Sequence, residues 1–425
     1  MDKIIFHIDV NSAYLSWSAL RLLADGAATD LRDIPSIIGG DMEKRHGVVL
    51  AKSIPAKKYG VVTGEPIVNA LRKCPSLVIE SPDHGLYHQK SRELMKFLFD
   101  FCPELEQLSV DECFIDFTPV KGCYSSPEAA ANTLKNQIRD NFGFTVNIGI
   151  SDKKVLAKMA SDFQKPDKVH TLYSFEIPEK MWPLNVSSLY MCGKSSTQAL
   201  EKLEIKTIGD LARTKKEIIA AHLKSHGVLL WEYANGIDKT DVISTPTDAK
   251  GVGNSITLPK DVSDKDEAHH YLLSLSDSVA GRLRKAGQLA GMVSVEIKYG
   301  NFHSVSHQKS LSPSTNTSQI IYFAACQLFD ELWDHSPIRL LGVRTSKLSD
   351  LTAPTQLSLF DLPGDYALKP YPEAESKIKN NPVSPSKEKL AVLDKTLDSI
   401  RQKYGESAVV RGSFLSKTPK KPKSP

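Results

Sequence analysis

The chain opens on a strand pattern that gives way to a helical one. Residues 3–10, KIIFHIDV, are apolar up to a closing carboxylate and read as a buried strand. SAYLSWSALRLLADG then carries the three-to-four-residue apolar spacing of a helix. IPSIIGG and GVVLA follow as short strands, and PAKKYG and EPIVNALRKCP as short helices punctuated by Pro and Gly. Residues 87–100 predict an amphipathic helix, and 105–117 a pair of strands. Ser125 and Glu128 stand at capping-box spacing around Pro127, which predicts a helix running through Arg139. TVNIGIS reads as a strand and DKKVLAKMASDFQKP as a helix stopped by Pro166. Two helices on one sheet, with further strands around them, predict an α+β domain ending near residue 176.

Residues 183–240 are helical in short pieces. From 251 to 348 the order becomes β-α-β-β-α-β, with GVGNSITL, MVSVEIKYG, SVSHQKSL and IRLLGVRTSKL as the strands. Ala268, Leu272, Leu275, Val279 and Leu283 form one apolar helical stripe between them. This split-βαβ arrangement predicts a separate domain. Beyond residue 350 the chain is rich in Pro, Ser and Lys, with one more helix near 387–404 and an ending, SKTPKKPKSP, that reads as disordered.

Composition narrows the class only modestly. A length of 425 residues accommodates two to four domains, and 41% hydrophobic with 24% charged residues is ordinary for a soluble globular protein. A net charge of +4 permits a polyanionic partner without demonstrating one. The six cysteines show no C-x-x-C pair and no zinc spacing, which predicts reduced thiols. The five-residue apolar run of MDKIIFHIDV, charged on both sides, is too short for a signal peptide, and no segment approaches a membrane span. The expectation is a cytoplasmic protein without membrane contact.

Candidate chemistry lies in LSVDECFIDF, residues 108–117. Val, Ile and Phe suit a half-buried strand, yet Asp111 and Glu112 sit among them. Burying two ionised carboxylates without partners is expensive. Either they form the wet tip of a hairpin, or positive charge sits on them. If the first strand lies beside the hairpin, Asp9 joins them at one sheet edge. Three converging carboxylates repel one another unless cations neutralise them. Magnesium takes oxygen ligands, and two such ions can activate an attacking hydroxyl and stabilise a leaving phosphate oxygen.

Three stretches together resemble the Y-family translesion DNA polymerases: IDVNSAY at 8–14, LSVDECFIDFT at 108–118, and NIGISDKKVLAKMASDFQKPDKV at 147–169. They occur in that family's order and spacing, and the resemblance extends over about residues 1–350. It implies a multidomain right-hand polymerase. Residues 1–176 would be a ferredoxin-like palm with small fingers at about 20–76, and 177–243 a helix-hairpin-helix thumb. Residues 246–349 would be a β-α-β-β-α-β little finger, and 350–425 a linker with a short helix and a basic tail. It implies two Mg2+ ions as cofactors, with catalytic carboxylates at Asp9, Asp111 and Glu112 and metal ligands at those residues and Val10. Tyr14 matches the aromatic steric gate against a ribose 2′-hydroxyl, although on its own, beside Trp17 and Leu20, it reads first as a core aromatic. Lys165 matches a lysine on the incoming triphosphate, and Lys57 falls where an arginine is usual. A lysine there keeps the charge and loses the bidentate fork.

Several positions depart from the family pattern. Ile54 replaces a common tyrosine, and Asn11 a frequent acidic residue, in a DVN form closer to the polymerase V catalytic subunit than to polymerase IV. Met191-Cys192-Gly193-Lys194 occupies the thumb turn where a second glycine is usual, leaving Gly193 and Lys194 as DNA-phosphate candidates. Arg282, Arg284, Lys285, Lys298, Arg339 and Arg344 are candidate DNA contacts, although charged faces are usually just solvated. Gln356, Leu357, Leu359 and Phe360, in QLSLF, resemble a bacterial sliding-clamp-binding motif. His222 with His226, and His303 with His307, lack a third ligand or a suitable span for a metal, and Cys113 reads as a packing residue.

The implied function is template-directed, low-fidelity DNA synthesis on damaged templates, without proofreading. The implied partners are primer-template DNA, deoxynucleoside triphosphates and a sliding clamp, with the chain itself monomeric. Two other readings compete. A catalytically silent, polymerase-like protein binding DNA and the clamp would be expected to lose the carboxylates. A palm-domain nucleotide cyclase would need neither the thumb nor residues 251–348.

Overall fold

A computed structural model of the chain describes residues 3–41, 47–245, 248–352, 387–405 and 408–409. The chain divides into two units, the main division falling between Thr247 and Asp248. The first unit begins with β1 (Ile5–Val10) and α1 (Ala13–Ala24). A three-stranded sheet follows, made of β2 (Ser36–Gly39), β3 (Val49–Lys52) and β4 (Val78–Glu80) in the order β3-β2-β4. Its connections are α2 (Ile54–Lys58) and α3 (Ile67–Lys73). It has its own small core around Ile37, Val49, Val61 and Ile67.

The larger sheet is completed by β5 (Leu105–Gln107), β6 (Glu112–Asp116), β7 (Val146–Ser151) and β8 (Val169–Thr171), in the order β5-β6-β1-β7-β8. Its helices are α4 (His84–Phe101), α5 (Pro127–Phe142) and α6 (Lys154–Ser161). Strand β1 is therefore central, and strand periodicity sorts its side chains. Phe6, Ile8 and Val10 enter the main core with Leu94, Leu98, Leu134 and Ile138 of α4 and α5. Ile5 and His7 face the opposite way, against Ala157 and Ser161 of α6. Helix α6 can lie this close only because β7 carries Gly149, where an added Cβ would stand 1.9 Å from the Ala157 carbonyl oxygen.

Two local expectations shift. The N-cap of α5 is Ser126, not Ser125: its side chain accepts from the Ala129 amide, and Pro127 fills the first helical position directly after it. Helix α6 stops at Ser161 rather than running to Pro166. The residue before a proline avoids the helical region, and the carbonyls of Ser161 and Gln164 are taken by the Asn147 side chain.

The first unit ends in short helices: α7 (Ile177–Lys180), α8 (Lys194–Glu201), α9 (Ile208–Arg213) and α10 (Lys216–Ala234). They share a core with Val155, Leu156 and Met159 of α6. The second unit runs β9 (Gly251–Val262), α11 (Lys265–Lys285), β10 (Gln288–Tyr299), β11 (Ser304–Thr315), α12 (Ser318–Leu332) and β12 (Ile338–Asp350). Its sheet order, β11-β10-β12-β9, splits each β-α-β unit with one strand, as the sequence predicts. The predicted stripe of Ala268, Leu272, Leu275, Val279 and Leu283 is buried against it. Helix α13 (Lys387–Tyr404) docks on the same unit. Buried Asp394 accepts from the Ser318 amide at the start of α12 and from Arg284, which also pairs with Asp398.

Candidate active site

The cross-strand register builds the site. Asp9 on β1 stands directly opposite Glu112 on β6 and opposite Asn147 on β7. On antiparallel strands, directly opposed residues share a face, so these three side chains form one row, on the α6 side of the sheet. The next row is Phe114, His7 and Gly149. Asp111 closes the turn between β5 and β6, its carbonyl accepting from the Val10 amide at 3.1 Å. Ser109 Oγ donates to Asp111 Oδ1 at 2.6 Å and accepts from the amides of Asp111 and Glu112, which fixes the turn. The carboxylates thus meet at one end of central strands, not at a lateral sheet edge. Asp111 is also the hairpin tip that the bland reading anticipated.

Positive charge does sit on them. Glu112 pairs with Lys158, and its Oε2 lies 3.3 Å from His7 Nε2. The His7 hydrogen bond and Lys158 hold Glu112 at about 2, against the opposing effect of burial. His7 is buried, which lowers its pKa, and its Nδ1 meets Ser161 Oγ at 2.8 Å. Asp9 pairs with Lys165, which also meets Asp162 at 2.8 Å. Yet Asp9 is pushed up to about 6, because burial, reinforced by the charges of Glu112 and Asp111, outweighs the lysine. Among the described residues, no group of three or more His, Cys, Asp or Glu side chains is disposed to hold a metal ion. Asp9 and Glu112 are turned to their lysines, and a bound cation would have to take the place of that pairing.

Beside the row lies a cleft of about 220 Å³ lined by Val10, Ser12, Tyr14, Lys52, Thr63 and Asp111 among others. Tyr14, in the first turn of α1, stacks on Tyr87 with ring centroids 4.2 Å apart, while His84 meets it edge-on at 6.1 Å. Tyr87 is buried, its hydroxyl 2.8 Å from Ser18 Oγ. Trp17 is the core aromatic of this helix; Tyr14 packs on the core and also lines the cleft. Lys52 was missed in the sequence, where it looks like one more strand lysine. Its ammonium donates to the Val61 carbonyl at 2.8 Å, and burial and the charge of Lys57 lower its pKa. Lys57 is exposed in the last turn of α2, and Ile54 is exposed at its start. Asn11 donates to Thr145 Oγ1 at 3.0 Å, while its Oδ1 is buried without a partner.

The remaining candidates scatter. Gly193 caps α8 with an ordinary φ of −73°, and the left-handed residue of that turn is Met191 at φ 68°. Met191 stands where a second glycine was expected, at a cost of about 1–3 kcal/mol. Lys194 opens α8 and is exposed. His222 and His226 do not share a helix face, because Lys224 between them breaks α10 at φ 52°, ψ −141°. His303 lies before β11, not on it, and His307 lies on the strand. Cys113 is fully buried with its thiol pKa raised by burial, as a packing residue should be.

In the second unit, the open face of the sheet forms a polar groove of about 750 Å³ lined by Asn254, Ser294, Glu296, Ser306, Gln308 and Arg344 among others. Arg339 stacks on Phe302 at 4.7 Å, and Lys298 alternates outward on β10. Arg282 is held by the Gly253 carbonyl at 2.8 Å, and Arg284 is consumed by Asp394 and Asp398. Gln356, Leu357, Leu359 and Phe360 lie outside the described residues.

Comparison with known proteins now bears on this geometry. The impB/mucB/samB family matches residues 8–162, and the C-terminal domain of that family matches 249–359. DNA polymerase IV of Clostridium acetobutylicum is 43% identical over 420 residues, covering 99% of this chain and 100% of that protein. DNA polymerase IV of Alkaliphilus oremlandii is 35% identical over 419 residues, 98% of this chain and 100% of its own length. Both carry the polymerase IV name, where Asn11 alone had leaned toward polymerase V. The solved Y-family DNA polymerase chimera Dbh-Dpo4(243-245)-Dbh superposes with a TM-score of 0.70 at 19% identity, over 82% of this chain and 99% of its own, and so shares the fold. The chain therefore belongs to the impB/mucB/samB family, the Y-family translesion DNA polymerases.

Proposed function

We propose that the row Glu112–Asp9, with Asp111 at the mouth of the adjoining cleft, is the nucleotidyl-transfer centre of this chain. The chain is a DNA-directed DNA polymerase that copies damaged templates, as its kinship with proteins named DNA polymerase IV supports. In this reading a primer 3′-hydroxyl attacks the α-phosphate of an incoming deoxynucleotide, and pyrophosphate leaves. Residues 1–176 act as palm and fingers, 177–243 as thumb and 246–349 as little finger.

The donor set fits a hard divalent cation. It is all oxygen, and burial has already made the charge on Asp9 costly. Asp9, Asp111, Glu112 and the Val10 carbonyl would hold two Mg2+ ions, which supply charge stabilisation at the attacking and leaving oxygens. Lys165 moves from Asp9 to the triphosphate, and Lys57 adds charge from the fingers side. Tyr14, braced on Tyr87, fills the space of a 2′-hydroxyl. Gly193 and Lys194 meet the DNA backbone from the thumb. Lys298, Arg339 and Arg344 meet it from the second unit, where the polar sheet groove suits a hydrated polyanion. Arg282 is a weaker candidate, since its guanidinium already serves the Gly253 carbonyl. The reading places a monomer in the cytoplasm; among the described residues no helix is long and apolar enough to cross a membrane.

Three outcomes follow from these roles. Asp111→Ala or Glu112→Ala should lower single-nucleotide incorporation by about 10³-fold or more, because several kcal/mol of transition-state stabilisation go with a lost metal ligand. DNA affinity, measured in parallel by titration, should hardly change, and full activity in either variant would end the assignment. No incorporation by the wild-type chain itself, with DNA binding intact, would favour the silent-accessory reading.

Tyr14→Ala should raise ribonucleotide relative to deoxynucleotide insertion by about tenfold or more, the scale on which one pocket group discriminates. An unchanged ratio makes Tyr14 a core residue only.

The clamp motif gives the third. Burying Leu359 and Phe360 in an apolar pocket supplies roughly 3–6 kcal/mol before ordering costs, enough for an exchangeable tether. Leu359→Ala with Phe360→Ala should leave extension unchanged without a clamp and remove the stimulation given by a loaded bacterial clamp. Equal stimulation of variant and wild type would contradict the motif reading.

A further inference from the structure

Asn147 is fully buried in the row that holds Asp9 and Glu112, yet it is neither a charge nor a packing residue. Each of its three hydrogen bonds goes to main chain on either side of Lys165. Nδ2 donates to the Ser161 carbonyl at 3.0 Å and to the Gln164 carbonyl at 2.7 Å, and Oδ1 accepts from the Lys168 amide at 3.3 Å. The Ser161 carbonyl ends α6, where carbonyls have no partner within the helix. Gln164 precedes Lys165 in the loop, and Lys168 leads into β8. A single amide thus clips both arms of the loop that carries Lys165 to Asp9. A second tether acts on the same loop from α5: Lys135 meets Asp167 at 3.0 Å and Arg139 meets it at 3.7 Å.

The chemistry of the clip is specific. Two donors and one acceptor on a two-carbon arm are what this position uses. Serine or threonine has one donor and cannot hold both carbonyls. Aspartate would present acceptors to two carbonyls and add a fourth charge beside Asp9. We propose that Asn147 is a positioning residue for the incoming nucleotide: it fixes the loop at 162–168 so that the Lys165 ammonium, paired with Asp9 here, is held within reach of the arriving triphosphate. The proposal rests on the reading of Lys165 as a triphosphate contact. It makes nucleotide affinity depend on a side chain that touches neither substrate nor metal.

The test is equilibrium binding of a correct deoxynucleoside triphosphate to the full-length protein on a primer-template whose primer lacks the 3′-hydroxyl, so that no turnover occurs. Wild type, Asn147→Ala, Asn147→Ser, Lys165→Ala and the Asn147→Ala/Lys165→Ala double variant are compared, with DNA affinity measured alongside. Asn147→Ala should weaken nucleotide binding about tenfold at unchanged DNA affinity, the size of one lost charge-assisted contact. Asn147→Ser, which keeps one donor, should fall between the two and covers the case in which the alanine variant does not fold. The double variant should bind no more weakly than Lys165→Ala alone, because residues acting through one contact are not additive. Multiplicative losses in the double variant would overturn the proposal, since Asn147 would then act elsewhere. So would unchanged affinity in both Asn147 variants while Lys165→Ala binds weakly. If Lys165→Ala itself binds as wild type does, the triphosphate reading of Lys165 falls, and the role of Asn147 falls with it.

Discussion

Asp9 and Glu112 lie directly across from each other on neighbouring central strands, on the same face of one sheet. At that spacing two carboxylates cannot both stay ionised in a partly dry site without cations close by. The fold answers with two lysines, each delivered by the segment that packs over that face. Lys158 comes from α6 and Lys165 from the loop after it. The two acids end up unequal, Glu112 held at about 2 and Asp9 at about 6. Glu112 is fully supported by its neighbours, whereas Asp9 remains under-compensated and ready for more positive charge.

That constraint explains features that otherwise look incidental. Gly149 has no side chain because α6 must lie against β7 to bring Lys158 over Glu112. His7 and Ser161 form a buried polar link between β1 and α6, at a place where an apolar pair would leave Glu112 without its hydrogen bond. Asn147 occupies the third position of the row and fixes the loop of the second lysine. On the far side of β1, Phe6, Ile8 and Val10 anchor the strand in the main core, so the carboxylate end is rigid. Tyr14 follows the strand by four residues, and its ring is held by Tyr87 and His84 rather than by the cleft. A rigid ring next to a charged row is the preorganisation that the proposed discrimination against a 2′-hydroxyl requires.

Much of this was legible in the sequence. The apolar run KIIFHIDV marked β1 as a buried strand, and the apolar stripe of residues 268–283 marked the helix of the second unit. The three motifs marked Asp9, Asp111, Glu112, Tyr14 and Lys165 before any coordinates. What was not legible depended on register and on three-dimensional capping. Nothing in TVNIGIS says that Asn147 faces Asp9 and not the core, because that follows from the pairing of β1 with β7. Lys52 and Lys158 look like ordinary surface lysines until the chain brings each to its site. Arg284 reads as a DNA contact in one dimension, yet it holds α13, and Arg282 also serves the Gly253 carbonyl. The end of α6 was overestimated because the Asn147 amide, not visible in one dimension, takes the Ser161 carbonyl several residues before Pro166.

The central claim is that the carboxylate row is a two-cation centre whose lysines hold its place when no cation is bound. The most direct measurement is anomalous diffraction from crystals of the full chain with primer-template, an incoming nucleotide and manganese. Two anomalous peaks, each within about 2–2.5 Å of carboxylate oxygens from Asp9, Asp111 or Glu112, are predicted, with Lys165 moved onto the triphosphate. Manganese bound elsewhere, or absent while Lys165 still pairs with Asp9 beside a bound nucleotide, would contradict the account.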